Sequence, residues 1–229
     1  MHTYLETAIG DVPCYYLEGE SEVVLLVFPA VFGIDEDIES LCREVVFAGH
    51  NVIAVDPFWE VDSGPLPHTM EGVKRALARK REISLEDGLA FAKACTHAAR
   101  SFGTTVVALG ICFGGYMAFV SLGEQNVDAA VVWHGAGLVR HIEEIPKMEG
   151  ALLLHFGSDD PLIPKIDREI LTELLKDKAN AEILEYEGAR HGFTHRSGVA
   201  FHENAMNDCL KKLFGLLDDH IEPQGGTSK

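Results

Sequence analysis

Apolar positions in this chain come in two repeating forms. Short runs such as Val23–Phe28 (V-V-L-L-V-F) are apolar at every position, while the longer segments between them mix apolar and charged residues. Uninterrupted runs of this length are the pattern of strands buried on both faces, and the interleaved amphipathic segments are the helices that cover them. The strands predicted from such runs, where they are continuous or nearly so in apolar residues, are Val23–Phe28, Val52–Val55, Thr105–Leu109, Ala129–Trp133, Ala151–Phe156 and Ala181–Tyr186. Helices are predicted over Asp35–Ala48, Met70–Lys80, Leu85–Arg100, Gly115–Leu122, Asp167–Lys176 and Gly198–Leu217. Ser84, three residues ahead of Asp87, resembles a capping box and places the start of the third helix. An early pair, Tyr4–Ala8 and Val12–Leu17, reads as an antiparallel hairpin turning through Gly10 and Asp11. Strand and helix in alternation define an α/β domain, a mostly parallel sheet flanked by helices on both faces. No repeat or linker divides the chain, so residues 1–222 are expected to form a single domain. Residues 223–229 (P-Q-G-G-T-S-K from Pro223) read as a flexible tail.

Composition narrows the partners. With 229 residues and 47% hydrophobic content, the chain can bury a core without staples. A net charge of -17 repels nucleic acid and anionic membranes, so neither is an expected partner. An anionic small molecule would need a local basic anchor inside its site. The five cysteines are scattered and form no C-x-x-C pair, which fits a reducing cytoplasm better than a secreted disulfide framework. The N-terminus shows no basic stretch followed by an apolar one. The longest apolar run, Val23–Ile34, is about a dozen residues and contains a proline and a glycine, too short to span a bilayer. The expectation is a cytoplasmic protein, a monomer or small homo-oligomer, that acts on a small molecule.

The chemistry concentrates at three strand ends. The stretch Gly110-Ile111-Cys112-Phe113-Gly114-Gly115 follows a predicted strand and opens a predicted helix. A nucleophile between glycines at such a junction is a nucleophile elbow: the turn is sharp, its neighbours must be small, and the reactive atom stands above the sheet edge. A helix N-terminus there lowers a thiol pKa and offers N–H groups to an oxyanion. Read blandly, Cys112 is a small core residue at a strand end. A thiol nucleophile also needs a base and an orienting acid in neighbouring loops. Asp159 and Asp160 follow the strand that ends at Phe156, and His191 follows the strand that ends at Tyr186. The chain order Cys112, Asp160, His191 is the nucleophile–acid–histidine order of α/β-hydrolases.

The motifs V-F-P-A-V-F-G-I, V-D-P-F, G-I-C-F-G-G, H-F-G-S-D-D-P-L-I-P and R-H-G-F-T-H-R extend over nearly the whole chain. In these the sequence resembles the dienelactone hydrolase (carboxymethylenebutenolidase) family. The resemblance implies an α/β-hydrolase fold and hydrolysis of a small lactone or ester, with no cofactor. It further implies Cys112 as nucleophile, His191 as base and Asp160, rather than Asp159, as the orienting carboxylate. The backbone N–H groups of Val31 and Phe113 are implied as the oxyanion hole. Rival functions are a carboxylesterase or thioesterase on the same scaffold, or a non-catalytic binding protein that kept the fold.

One departure stands out. Ala30 occupies a position where family members often carry a glutamate that interacts with the resting thiol. Asp35, Glu36 and Asp37 are near in sequence but fall at a helix N-terminus, where acidic residues serve the dipole. A resting Cys112–His191 ion pair is therefore expected. For a substrate carboxylate, Arg196 is the candidate anchor, or else it forms a structural ion pair. Arg75, Arg79 and Arg81 belong to a helical stretch that could cap the site but also reads as a solvated face. His195 and His134 are candidates for a polar substrate group. Trp59 and Trp133 are expected in the core or a pocket wall. The spacing of His191, His195 and His202 invites a metal, but Gly192 breaks any helical ligand face, so no metal is expected.

Overall fold

A computed structural model describes residues 1–220 of the chain, so the expected tail at 223–229 lies outside the described residues. Eight strands form one sheet: β1 (His2–Thr7), β2 (Gly10–Leu17), β3 (Val23–Phe28), β4 (Asn51–Val55), β5 (Thr105–Ile111), β6 (Ala129–Trp133), β7 (Ala151–Gly157) and β8 (Ala181–Tyr186). Their order across the sheet is β1-β2-β4-β3-β5-β6-β7-β8. The β1–β2 hairpin joins β4 antiparallel at one edge, and every pairing from β4 through β3 to β8 is parallel. Six helices cover the sheet: α1 (Glu36–Phe47), α2 (Met70–Glu82), α3 (Leu85–Ala99), α4 (Gly115–Gly123), α5 (Lys165–Leu175) and α6 (Glu203–Asp219).

The unbroken apolar strands are buried on both faces. In β3 the side chains of Val24, Leu26 and Phe28 join a core with Phe91 of α3, Met117 of α4 and Leu171 of α5. The alternate residues Val23, Leu25 and Val27 join a second core with Leu41 of α1 and Leu213 of α6. Each fully buried side chain of this size contributes about 1.5–3 kcal/mol. The sheet is therefore a stiff floor, and its parallel strands deliver all their following loops to one edge. No helix among the described residues is long and apolar enough to cross a membrane.

Local chemistry sets the helix starts. Ser84 caps α3 by accepting the Asp87 N–H, Thr69 caps α2, and Asp35 caps α1 through Ile38. Two expectations need correction. The hairpin turns at Ala8 and Ile9, because Gly10 and Asp11 already pair with Thr7 and Glu6, and the Thr7 hydroxyl closes the turn onto Gly10. Helix α6 starts at Glu203 rather than Gly198: the His202 N–H goes to the Phe193 carbonyl, and His202 then caps the helix. Residues Leu138–Lys147, unassigned in the sequence, form a 3₁₀ segment kinked at His141, with Pro146 near its end.

Candidate active site

At the end of β5 the chain turns on Cys112, whose φ of +52° lies in the left-handed region. For a residue with a side chain this conformation costs about 1–3 kcal/mol and persists only where packing enforces it. The enforcement comes from the flanking glycines. A Cβ on Gly110 would lie 2.4 Å from the Gly114 carbonyl oxygen, and one on Gly114 would lie 2.0 Å from the Phe28 oxygen. The turn is thus pressed against β3, and a 3₁₀ turn over Cys112–Gly114 leads directly into α4.

Loops after β7 and β8 complete the cluster. The Asp160 side chain is fully buried; its Oδ1 accepts the Leu162 N–H at 2.8 Å and its Oδ2 accepts from His191 Nδ1 at 2.7 Å. Because a carboxylate only accepts, the Nδ1 proton is fixed and Nε2 is left facing the thiol. His191 Nε2 lies 3.1 Å from Cys112 Sγ. Asp159, one residue earlier, is exposed and accepts from Ser158 instead.

Electrostatics favour a charged pair. Burial pushes the Cys112 thiol up, but the charge and hydrogen bond of His191, with smaller help from Lys80 and the Phe113 N–H, bring it below its ordinary value. Burial alone would lower His191, yet the Cys112 charge and the hydrogen bonds to Asp160 and Cys112 hold it well above the usual imidazole range. No carboxylate acts directly on the thiol. Ala30 is buried and apolar, Asp35 is spent on the α1 cap and on His68, and Asp37 accepts from Ser197.

The turn after β3 is held from outside by its carbonyls. Gly33 N–H bonds the Ala30 oxygen, Leu66 N–H bonds the Phe32 oxygen, and Arg79 takes the Val31 oxygen through Nε at 3.1 Å and Nη2 at 2.7 Å. The Val31 N–H donates to no backbone carbonyl among the described residues. Arg79 is 1% exposed, lies over the Phe58 ring, and also holds the Asp62 and Gly64 carbonyls. Of the basic stretch on α2, it is a buried strut rather than part of a solvated face. Its role could not be read from sequence, because its partners are backbone atoms in loops whose path no local pattern reveals.

Cys112, Phe113 and His191 open onto a cavity of about 270 Å³. Lys80, Tyr116, Arg140 and Leu162 line it. Lys80 and Arg140 are exposed, and neither forms an ion pair among the described residues. They are the cations at this cavity, and sequence reasoning missed both. Arg140 sits on the unassigned 3₁₀ segment, and Lys80 was hidden in an apparently ordinary basic helix.

Arg196 lies outside the cavity: its guanidinium pairs with Glu44 and reaches Ser40. It took the structural alternative because the turn after His191 carries it over α1. His195 is also absent from the cavity lining and packs against His68 and Phe32. His134 has a φ of +40°, bonds Thr194 Oγ1 at 2.8 Å, and sets its ring edge-on to His191 at 5.0 Å. Trp133 is core, and Trp59 covers Gly10. The structure therefore brings together Cys112, Asp160, His191 and Phe113, and leaves Arg196 and His195 outside.

The strand order, the elbow after β5 and the acid and histidine after β7 and β8 define the α/β-hydrolase class of fold and site. Within it, the chain belongs to the dienelactone hydrolase family, whose profile matches residues 14–221. A putative carboxymethylenebutenolidase of Synechocystis is 25% identical over 213 residues, covering 87% of each chain. The carboxymethylenebutenolidase of Pseudomonas putida is 25% identical over 183 residues, 78% of each. Among solved structures, a putative dienelactone hydrolase from Klebsiella pneumoniae superposes with a TM-score of 0.72 at 21% identity, over 96% of this chain and 98% of its own. A dienelactone hydrolase-like promiscuous phosphotriesterase from metagenomic libraries gives 0.79 at 18% identity, over 97% and 99%.

Alkylation of Cys112 measured against pH will inflect below about 8.5, the value of a free thiol. Removing the imidazolium in His191→Gln takes away the favourable charge, so the inflection will move upward. Arg79→Met strands three carbonyls and will cost about 2–5 kcal/mol in urea unfolding. Arg79→Lys will not restore it, since one ammonium cannot reproduce the guanidinium fork.

Proposed function

We propose that this protein hydrolyses a small lactone or ester by thiol-based acyl transfer. The observation that carries the reading is the unbroken chain from Asp160 through His191 to the Cys112 sulfur, at 2.7 and 3.1 Å, on the wall of a small cavity. Cys112 thiolate attacks the carbonyl carbon, and the oxyanion is held by the N–H groups of Phe113 and Val31. His191, protonated in the resting pair, gives its proton to the leaving oxygen as the thioester forms. The same imidazole then takes a proton from water, which attacks the thioester and releases the acid and the thiolate. Asp160 keeps the ring oriented and stabilises its charged form. An alkoxide or enolate leaves with less help than an amine, so an activated ester suits this thiol better than a peptide.

The relatives' name brings a carboxylated lactone to this reading, and Lys80 and Arg140 supply cations that such a substrate would meet. They would provide the local anchor that a chain of net charge -17 requires. All five cysteines are free thiols, in keeping with a cytoplasmic location. A second reading, a carboxylesterase or thioesterase for neutral acyl groups, draws on the withdrawal of Arg196 to Glu44.

A panel of carboxylated enol-lactones, neutral aryl esters and acyl thioesters separates the two. On the lactone reading, Lys80→Ala and Arg140→Ala raise KM for the carboxylated lactone about tenfold or more and leave KM for the neutral esters unchanged. Equal effects on all substrates would favour the neutral-ester reading. Cys112→Ala will lower kcat/KM at least about a thousandfold on the preferred substrate. Unchanged hydrolysis in that variant would leave a non-catalytic binding protein as the alternative.

A further inference from the structure

A second group of polar side chains lies apart from the cavity. Asp35, Asp37, His68 and His195 each offer one ligand atom, and these four atoms all lie within 4.8 Å of one another. They come from three places: the N-terminus of α1, the loop before α2, and the turn after His191. We propose that these four residues form a binding site for a divalent transition-metal ion of the zinc type, a structural site separate from the catalytic cluster.

His195 is the observation that points to an ion. Its side chain is 9% exposed, its nearest carboxylate oxygen is Asp37 Oδ2 at 3.9 Å, and its ring makes no hydrogen bond among the described residues. The imidazole has no hydrogen-bond partner of its own among these residues, and it faces two carboxylates and a second imidazole. The donor set also fits. Two carboxylates neutralise a divalent charge, and two imidazoles favour zinc, cobalt or nickel over magnesium or calcium. Zinc bonds to nitrogen and oxygen of about 2.0–2.2 Å require tetrahedral ligand edges of about 3.4 Å, so pairs within 4.8 Å close by at most about 1.4 Å and the Asp35–His68 pair at 2.8 Å opens slightly.

The supports around the ligands are those a metal site uses. The Ser197 N–H and hydroxyl both donate to Asp37 Oδ2, at 3.2 and 2.9 Å. Phe32 stacks on His68 at 4.0 Å between centroids. Asp35 Oδ1 is anchored on the α1 N–H of Ile38, leaving Oδ2, now 2.8 Å from His68 Nε2, for the ion. Four protein ligands close the shell, which marks a structural rather than a catalytic ion. The ion would tie the segment just beyond the Ala30–Gly33 turn to the loop that carries His191. The expectation of no metal considered only the spacing of His191, His195 and His202. His202 instead caps α6, and the partners of His195 come from far upstream.

Cys112, His134 and His191 also have ligand atoms within 4.8 Å, so the test must tell the two clusters apart. The full chain, stripped with a chelator, is titrated with Co²⁺ and separately with Zn²⁺ in competition with a chromogenic chelator. The site predicts one equivalent bound at micromolar free ion, with the strong visible bands of four-coordinate cobalt and no thiolate charge-transfer band. Cys112→Ala will keep this binding, and Zn²⁺ will raise the thermal midpoint of both proteins. His68→Gln and His195→Gln will each weaken binding about a hundredfold or more. If either fails to fold, Asp37→Asn supplies the same readout. Absence of stoichiometric binding overturns the proposal, as does binding that is lost in Cys112→Ala and retained in the His68 and His195 variants.

Discussion

The constraint on which the site depends is the left-handed turn at Cys112. A cysteine adopts φ of +52° only under compulsion, and the compulsion is close contact: Gly114 lies against the backbone of β3, and Gly110 against Gly114 itself. That contact fixes where the sulfur stands relative to the loops that follow β7 and β8. The parallel sheet makes this possible, since every strand in the central run presents its carboxyl end on the same side. Strain at the elbow is thus offset by burial in the two cores beneath it.

The electrostatics follow from the same geometry. With alanine at position 30, the thiol faces a histidine and a distant lysine but no carboxylate of its own. Asp160 is buried behind His191, so its charge is felt through the ring it orients. The result is a sulfur lowered and an imidazole raised, each the cause of the other's shift. His191 is therefore the main ionic partner of the thiol, with a smaller contribution from Lys80. Arg79, from the opposite side, stabilises the turn that carries Val31 without touching the reacting atoms.

Much of this was legible in the sequence because it depended on local pattern. The six predicted central strands lie within a residue or two of where the sequence placed them; five are near-continuous apolar runs buried along almost their whole length, while β8 at the sheet edge exposes Glu182 and Glu185. Cys112, the Asp159–Asp160 pair and His191 could be picked out because each lies just past a predicted strand, and the family resemblance chose Asp160 over Asp159. What was not legible depended on loops meeting in space. Arg196 read as a substrate anchor because it follows His191 closely, but the turn carries it to Glu44. Lys80 and Arg140 reach the cavity from α2 and from a 3₁₀ segment kinked at His141, neither of which announces its neighbour. The grouping of His195 with Asp35, Asp37 and His68 was invisible for the same reason.

Whether Cys112 carries the acyl group is tested most directly by rapid acid quench with a slowly deacylated aryl ester, followed by mass spectrometry of the digested protein. The prediction is one acyl group per chain, on the peptide containing Cys112, released by hydroxylamine as a thioester is and absent in Cys112→Ala. An acyl group on another residue, or turnover with no covalent adduct under conditions where deacylation is limiting, would contradict the account.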